Sequence, residues 1–415
     1  MFSYRDGQLY CEDTALAGLT KDYPTPFYVY SRKVIKERIA TLKDLFAPVD
    51  AVLAYAVKVN NNLSILNVIA GEGLGADIIS RGELYRYLKA GGDPKKVVFS
   101  GVAKTEEELR YAIERGIRLI NTESIPEIAA INSIAADYGR KVDIAIRINP
   151  DVAADTHHKI TTGKKGNKFG VSFETVKKNA AMIRGLTNVR LTGIAMHLGS
   201  QIMKAKPYYD AIMKAKDVLT WLKGEGFAVT SLDIGGGIGV PYKKGDAPFD
   251  FETYKRDVIP LLASLGVTII VEPGRYLVAE SAALIMKVIY IKEEGEKIFV
   301  AVDAGMNDFQ RVALYDAHHE VLPLVDSKKT FSADVVGPIC ESSDYFTKDR
   351  VMPVVAAGDY IALMGTGGYG YSMSSNYNGR EHIAEIMVDG AKSRVIRRAQ
   401  TLEEMVTQEI EYLNA

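Results

Sequence analysis

The stretch Val52-Leu53-Ala54-Tyr55-Ala56-Val57-Lys58 decides how the chain is read. Six apolar or aromatic residues read as a buried strand, and a lysine closes it. Lysine is almost never fully buried unless it is paired or chemically used. A lysine at the carboxyl end of a buried strand is therefore a candidate for chemistry. Taken alone, the plainer reading is the first residue of a solvated loop.

Outward from that strand the pattern alternates. Upstream, Ile35, Ile39, Leu42 and Leu45-Phe46 recur at helical spacing; downstream, Leu63, Leu66 and Ile69-Ala70 do so again. Further strands are expected at Ala76–Ser80, Val97–Ser100, Arg118–Asn121, Val142–Ile148, Leu191–Leu198, Leu232–Ile234 and Thr268–Val271, with helices between them. Thr105-Glu-Glu-Glu108 and Ser124-Ile-Pro-Glu127 read as capping boxes opening two of those helices. Eight strands in about 220 residues, alternating with helices, imply a parallel sheet covered by helices. Eight is also the count of a (β/α)8 barrel. A doubly wound open sheet is the competing arrangement of the same elements.

The two ends have another rhythm. Residues 1–30 read as β structure, with a hairpin at Asp6-Gly7 and a short strand at Phe27–Tyr30. After Tyr276, strands at Leu284–Ile291, Lys297–Val302, Val335–Ile339, Tyr360–Met364 and Ile386–Val388 follow without long helices. Asp389-Gly390 marks a hairpin, and a short helix is expected around Leu402–Leu413. The fold class is α/β: a (β/α)8 barrel over residues 31–278, inserted into an all-β domain formed by residues 1–30 plus 279–415.

Composition narrows the partners. The 51 basic and 52 acidic side chains nearly cancel, to a net charge of −1, which argues against a nucleic-acid or polybasic membrane surface. No apolar run reaches the roughly 18 residues that span a bilayer, and Met-Phe-Ser-Tyr-Arg-Asp-Gly contains no signal core. Cys11 and Cys340 are the only cysteines, so no disulfide framework exists and a reducing compartment is expected. The expectation is a cytoplasmic protein with neither a membrane nor a nucleic-acid partner.

Barrel sites form at the carboxyl ends of the strands. There stand Lys58, Asp77, Arg147, His197-Leu-Gly-Ser200-Gln201, Gly235-Gly236-Gly237-Ile-Gly239 and Glu272-Pro-Gly274-Arg275. Glycines after strand seven, with the loop after strand eight, are where barrels commonly place a phosphate, because backbone N–H groups approach it unhindered. A tight turn is the plainer reading, and the spacing is not that of a dinucleotide fingerprint. Lysine, histidine, carboxylate and phosphate cradle at one mouth suggest a pyridoxal 5'-phosphate site. Lys58 would form the Schiff base, Glu272 would face the ring nitrogen and His197 would stack on the ring. Taken alone, Glu272 reads as a surface partner of Arg275 and His197 as a core histidine. The pairs His157-His158 and His318-His319 lack metal-site spacing and read as loop or packing residues; no metal is expected.

Seven motifs then occur in order between about Thr25 and Arg398. They are Tyr55-Ala-Val-Lys58, His197-Leu-Gly-Ser-Gln201, Gly235-Gly-Gly237, Glu272-Pro-Gly-Arg275, Arg311-Val-Ala-Leu-Tyr315, Cys340-Glu341 and Gly368-Tyr369-Gly370. This set resembles the diaminopimelate decarboxylases, pyridoxal phosphate enzymes with an alanine-racemase-like barrel and a β domain. The resemblance implies decarboxylation of meso-2,6-diaminopimelate to L-lysine and carbon dioxide, the last step of lysine biosynthesis. It implies that Lys58 carries the cofactor, Asp77 lies near that lysine, His197 stacks on the ring and Ser200 lies close to the phosphate. Gly235, Gly236 and Gly237, with the backbone of Gly274 and Arg275, would hold the phosphate, and Glu272 would pair with the ring nitrogen. Arg275, Arg311 and Tyr315 would grip the distal carboxylate of the substrate, Glu341 its distal ammonium, and Tyr369 would reach substrate and cofactor. Cys340 would donate the proton. The resemblance places Cys340 and Glu341 in the site of the second subunit, which implies a homodimer with shared active sites.

Charge alone agrees with that substrate class. Two carboxylates and two ammonium groups need two cations and an anion at fixed places, and the arginine fork suits a carboxylate. A thiol beside a carboxylate stays neutral, as a proton donor must; the plainer reading of Cys340 is a small hydrophobe. Departures from the family pattern are Val312 where proline is usual, Ser343 where glycine is common, and His158-Lys159 before Asn167-Lys-Phe-Gly170. None removes a catalytic side chain. Three other readings stay open. Decarboxylation of ornithine, lysine or arginine gives Arg275, Arg311 and Tyr315 no carboxylate to hold. A non-catalytic cofactor-binding protein would not need both Lys58 and Cys340. Alanine racemase would want a second base and an arginine at the ring nitrogen.

Overall fold

The computed structural model describes residues 2–150 and 168–413. His157, His158, Lys159 and Asn167 therefore lie outside the described residues. Contacts divide the chain into two units. One comprises Arg38–Val240 and Ala247–Tyr276, the other Met1–Glu37, Pro241–Asp246 and Leu277–Ala415.

At the amino end, β1 (Phe2–Arg5) and β2 (Gln8–Cys11) pair antiparallel across Asp6-Gly7, and β3 (Thr14–Ala15) completes a three-stranded sheet. A helix, Leu16–Asp22, then interrupts the β structure that the sequence predicts throughout residues 1–30. Its Leu16 and Leu19 enter the same buried cluster as Leu9 and Cys11. One apolar pair at spacing i, i+3 is too short a signal to announce a helix. β4 (Phe27–Ser31) is buried along its whole length.

The barrel strands are β5 (Ala51–Ala56), β6 (Gly75–Ile78), β7 (Val97–Phe99), β8 (Leu119–Thr122), β9 (Val142–Arg147), β10 (Val189–Ala195), β11 (Ser231–Asp233) and β12 (Thr268–Val271). Neighbours pair in parallel, and β12 pairs with β5 through Ile269 opposite Ala51 and Val271 opposite Leu53. That last pairing closes the ring, so the chain forms the expected (β/α)8 barrel and not an open sheet. Ala54, Val98, Leu119, Ala145, Ala195 and Ile270 form a buried cluster with Val52 against it, the side-chain filling that makes such a barrel a packed core.

Two local expectations shift. β5 stops at Ala56, and Lys58 sits in a single 3-10 turn, Val57–Val59, that the Tyr55 phenol closes by donating to the Asn60 carbonyl at 3.0 Å. Thr105 and Glu108 form the reciprocal capping box. Ser124 makes only half of one: its hydroxyl accepts from the Glu127 N–H. The Glu127 carboxylate turns instead to the buried Lys104 ammonium and to the Glu123 N–H, each at 2.7 Å. A buried ammonium outbids a helix N–H for a carboxylate because its hydrogen bond is charge-assisted.

The second unit is mostly sheet. β13 (Ala282–Glu294) is its spine. The other strands are β14 (Lys297–Val302), β15 (Val321–Pro323), β16 (Thr330–Val336), β17 (Tyr345–Pro353), β18 (Tyr360–Met364), β19 (Ala384–Asp389) and β20 (Lys392–Arg397). β13 pairs with β4 and β18 along its first half and with β14 along its second. The order runs β17-β16-β14-β13-β4-β19-β20, with β18 and β15 branching from β13. The hairpin at Asp389-Gly390 joins β19 to β20. β17 and β20, both missed in the sequence, are the edges of this sheet, where charged residues such as Lys348, Arg350, Lys392 and Arg394 replace the apolar alternation. β16 ends before Gly337-Pro338 and not at Ile339, because proline supplies no ladder N–H. The unit is not purely β: Leu16–Asp22, Arg311–Tyr315 and Leu402–Ile410 are helical. Among the described residues, no helix is long and apolar enough to cross a membrane, and no cluster of three His, Cys, Asp or Glu could hold a metal ion.

Candidate active site

Each of the eight barrel strands delivers one polar side chain to the same end of the barrel. Lys58 follows β5, Asp77 lies in β6, Ser100 follows β7, Asn121 lies in β8, Arg147 ends β9, His197 follows β10, Asp233 ends β11 and Glu272 follows β12. Parallel strands run one way, so their carboxyl ends converge. A cavity of about 370 Å³ opens there, lined by Lys58, Ser100, Asn121, Arg147, His197 and Glu272 among others.

Lys58 Nζ lies 2.7 Å from Asp77 Oδ2. The carboxylate is wholly buried and the lysine side chain a third exposed, so the amine faces the cavity from a dry anchor. The other oxygen, Asp77 Oδ1, is buried without a hydrogen-bond partner among the described residues, as is Asn121 Oδ1. Beside them, the Glu83 carboxylate accepts from the Ile79 N–H at 2.8 Å. Burial pushes its pKa up to about 7, against the opposing pull of that N–H and of Lys58.

Across the cavity, Asp233 and Glu272 form a hydrogen-bonded carboxyl pair. Asp233 also accepts from the Gly235 N–H at 2.9 Å and from Asn121 Nδ2 at 2.8 Å. Asn121 reaches Ser100, whose hydroxyl donates to Glu272 Oε1 at 3.0 Å. Burial, then the charges of Asp233 and Asp77, raise the Glu272 pKa well above the ordinary carboxylate range. Burial likewise pushes Asp233 up to about 6. Glu272 is buried, and Arg275 bonds elsewhere, so the surface-pair alternative for Glu272 does not hold.

His197 accepts the Gly236 N–H on Nδ1 at 3.3 Å. Burial, then the cations Arg147 and Lys58, hold its pKa well below the ordinary value, so the ring is neutral. The glycines around it are required by contact. A Cβ on Gly236 would strike the Glu272 carbonyl oxygen, and Gly237, at φ +105°, would place one 2.5 Å from the Gly199 carbonyl oxygen. The loops after β10, β11 and β12 thus touch backbone to backbone. Gln201 straps the first two together, donating to the Val240 carbonyl at 2.6 Å and accepting the Val240 N–H at 3.3 Å. The Arg275 guanidinium donates to the Ser200 hydroxyl at 3.0 Å.

Sequence reasoning left four members of this constellation without a role: Ser100, Asn121, Arg147 and Asp233. Arg147 is held by Glu123 at 2.8 Å and lies 4.6 Å from the centre of the Phe169 ring. Its position at a strand end was the one available signal. Asp233 stands two residues before the triple glycine, Ser100 follows one short strand and Asn121 lies within another; nothing in their spacing marks them.

The remaining predicted residues belong to the second unit. Arg311 is 6% exposed, at the start of the helix that ends at Tyr315. Cys340 and Glu341 are exposed; the Cys340 N–H donates to Asn378 at 2.9 Å and Glu341 accepts from the Tyr377 hydroxyl at 2.5 Å. Tyr369, between two glycines, holds φ +56°, a strained value for a non-glycine residue of the kind that clusters at functional sites. Cys11 is a core residue, its thiol pushed up to about 12 by burial.

Comparison with known proteins fits this geometry. Residues 32–279 match the family described as pyridoxal-dependent decarboxylase, pyridoxal binding domain. A diaminopimelate decarboxylase from Zymomonas mobilis is 41% identical over 418 residues, covering 99% of both chains. The chain belongs to the diaminopimelate decarboxylases. Among solved members of the family, the Helicobacter pylori enzyme complexed with L-lysine superposes with a TM-score of 0.92 at 40% identity, covering 96% of this chain and 100% of that one. The M. jannaschii enzyme in co-complex with L-lysine gives 0.94 at 34% identity, covering 99% and 97%. The cofactor of this decarboxylase family is pyridoxal phosphate, and the residues present fit it. A paired amine and the buried Glu272 carboxyl line one cavity, and a cradle admits no Cβ at Gly236. The buried Asp77 Oδ1 and Asn121 Oδ1 still have hydrogen-bonding capacity to spend.

Proposed function

We propose that the protein decarboxylates meso-2,6-diaminopimelate to L-lysine and carbon dioxide, the last step of lysine biosynthesis. The observation that carries this reading is the Lys58–Asp77 pair at a cavity that the buried Glu272 carboxyl also lines. When bound, the cofactor supplies a sink for the electron pair left on the α-carbon as carbon dioxide departs. Lys58 is the covalent attachment point, and Asp77 orients its amine. Glu272 pairs with the ring nitrogen, and the neutral His197 offers an uncharged face for the ring to stack on. Gly235, Gly236, Gly237 and Gly274, with Ser200 and the Arg275 backbone, take the phosphate.

The far end of the substrate is assigned to Arg275, Arg311 and Tyr315 for the distal carboxylate and to Glu341 for the distal ammonium. Tyr369 serves substrate and cofactor, and Cys340 delivers the proton to the α-carbon. Two planar guanidinium forks are the chemistry that a distal carboxylate asks for, and ornithine or lysine decarboxylation gives them nothing to hold. The protein is further read as a cytoplasmic homodimer in which Cys340 and Glu341 of the partner subunit complete each site. The exposure of both residues is what such sharing requires.

Carbon dioxide release from meso-diaminopimelate, ornithine, L-lysine and arginine, compared on the purified, cofactor-loaded protein, tests the reading. Turnover confined to meso-diaminopimelate is expected; none on it, or preference for a monocarboxylate, overturns the assignment. Mixing Lys58→Ala with Cys340→Ala protein tests the shared site. Hybrid dimers regain activity only if the two residues come from different chains.

A further inference from the structure

His319, read in the sequence as a packing residue, is wholly buried and bonded at both ring nitrogens. Nδ1 lies 2.8 Å from the Met364 carbonyl oxygen and Nε2 lies 2.9 Å from Arg311 Nη1. A carbonyl oxygen only accepts, so Nδ1 carries the hydrogen. A guanidinium only donates, so Nε2 presents its lone pair. One neutral tautomer satisfies both contacts, and the other satisfies neither.

The rings around it fix the same arginine. The Arg311 guanidinium lies over the Tyr242 ring, 4.8 Å from its centre. Tyr242 and Phe309 meet the His319 ring edge-on at 4.9 and 4.7 Å between centres. His319 holds one nitrogen of the guanidinium, and the Tyr242 ring lies against the group. Two contacts from different side chains restrict its orientation, as a surface arginine with several free torsions is not restricted. Orientation matters because a fork–fork bond to a carboxylate forms only when the two planes match.

We propose that His319 is a positioning residue that orients Arg311 and so sets selection for a carboxylate at the end of the substrate remote from the reacting carbon. This rests on the reading of Arg311 as part of the distal clamp. The probes are L-lysine, which keeps that carboxylate, and cadaverine, which lacks it, titrated into the holoenzyme. His319→Asn keeps an amide N–H near the Met364 carbonyl but has nothing at the Nε2 position. His319→Gln places its amide oxygen there.

His319→Asn should weaken L-lysine about tenfold, the equivalent of one charge-assisted hydrogen bond, and leave cadaverine unchanged. It should also raise KM for meso-diaminopimelate with kcat held, and His319→Gln should restore most of both. His319→Met, which fills the buried space without an acceptor, should behave as His319→Asn and replaces it where that variant fails to fold. An L-lysine to cadaverine ratio unchanged in His319→Asn or His319→Met, while Arg311→Ala collapses it, overturns the positioning role and leaves the clamp standing. A ratio unchanged in Arg311→Ala as well overturns the clamp, and the role of His319 with it.

Discussion

Lys58 Nζ and Asp77 Oδ2 stand 2.7 Å apart, and the second oxygen of that buried carboxylate has no hydrogen-bond partner among the described residues. A charge is kept in a dry place with part of its hydrogen-bonding capacity unspent. Unpaired buried polar atoms are expensive, and here the expense lies beside the Lys58 amine, which lines the cavity.

The first prediction concerns attachment. Borohydride reduction of the cofactor-loaded protein should add the mass of the reduced cofactor to a peptide containing Lys58. Lys58→Ala should lose both that adduct and the visible absorbance of the bound cofactor. Asp77→Ala should still form the adduct, more slowly, because it removes the anchor and not the nucleophile. An adduct on Lys104 or Lys168 in the wild-type protein would refute the assignment.

The second concerns pH. Asp233 is pushed up to about 6 and Glu272 well above its ordinary value, both mainly by burial. A carboxyl that holds its proton more tightly in the fold than in the unfolded chain contributes stability that is complete below the ordinary carboxylate range. That contribution is lost as pH rises through the folded value. In the cofactor-free protein, stability should therefore fall from about pH 4 to beyond pH 6, by on the order of 3 kcal/mol for Asp233. Asp233→Asn should remove that slope in urea denaturation series taken at several pH values. A slope unchanged in the variant would place the titration elsewhere.

How much of this was legible follows from what kind of signal each feature leaves. The barrel was legible because apolar periodicity repeats eight times, and Lys58, His197 and Glu272 because each stands in a spaced motif. Ser100, Asn121 and Asp233 were not, since their role is a hydrogen-bond relay between three different strands, which no spacing along the chain records. β17 and β20 were hidden because edge strands trade apolar alternation for charge. The half-formed capping box at Ser124 looked complete because the competitor for Glu127, the buried Lys104, comes from another loop. His319 read as packing for the same reason: its second partner, Met364, lies far along the chain.

The third prediction uses backbone contact. Ala at 236 would put its Cβ into the Glu272 carbonyl oxygen, and backbone cannot swing aside as a flexible side chain can. Gly236→Ala should lower cofactor affinity and stability together. Gly18→Ala, in the helix Leu16–Asp22 with open space around it, should instead stabilise by about 0.5–1 kcal/mol through helix propensity. Thermal unfolding with and without cofactor separates the two. Equal effects would mean that the close approach at residue 236 carries no weight.

The last concerns the one arginine that lines the cavity. Arg147 and Glu123 are nearly buried and 2.8 Å apart, and Glu123 also accepts the Gly170 N–H at 2.7 Å. Removing one member strands the other charge in a dry site, which costs roughly 3–5 kcal/mol, whereas replacing both by apolar side chains of similar volume is often near neutral. Glu123→Gln should therefore destabilise strongly, and Glu123→Leu with Arg147→Met should recover most of the loss. Arg147 is also one of the two cations that hold His197 below its ordinary pKa, after burial. The Arg147→Met background should raise the His197 pKa, read by NMR of the imidazole, while Glu123→Gln, which strips the arginine of its counter-charge, should lower it further. Both single variants moving His197 the same way would show that Arg147 acts on the ring through packing and not through its charge.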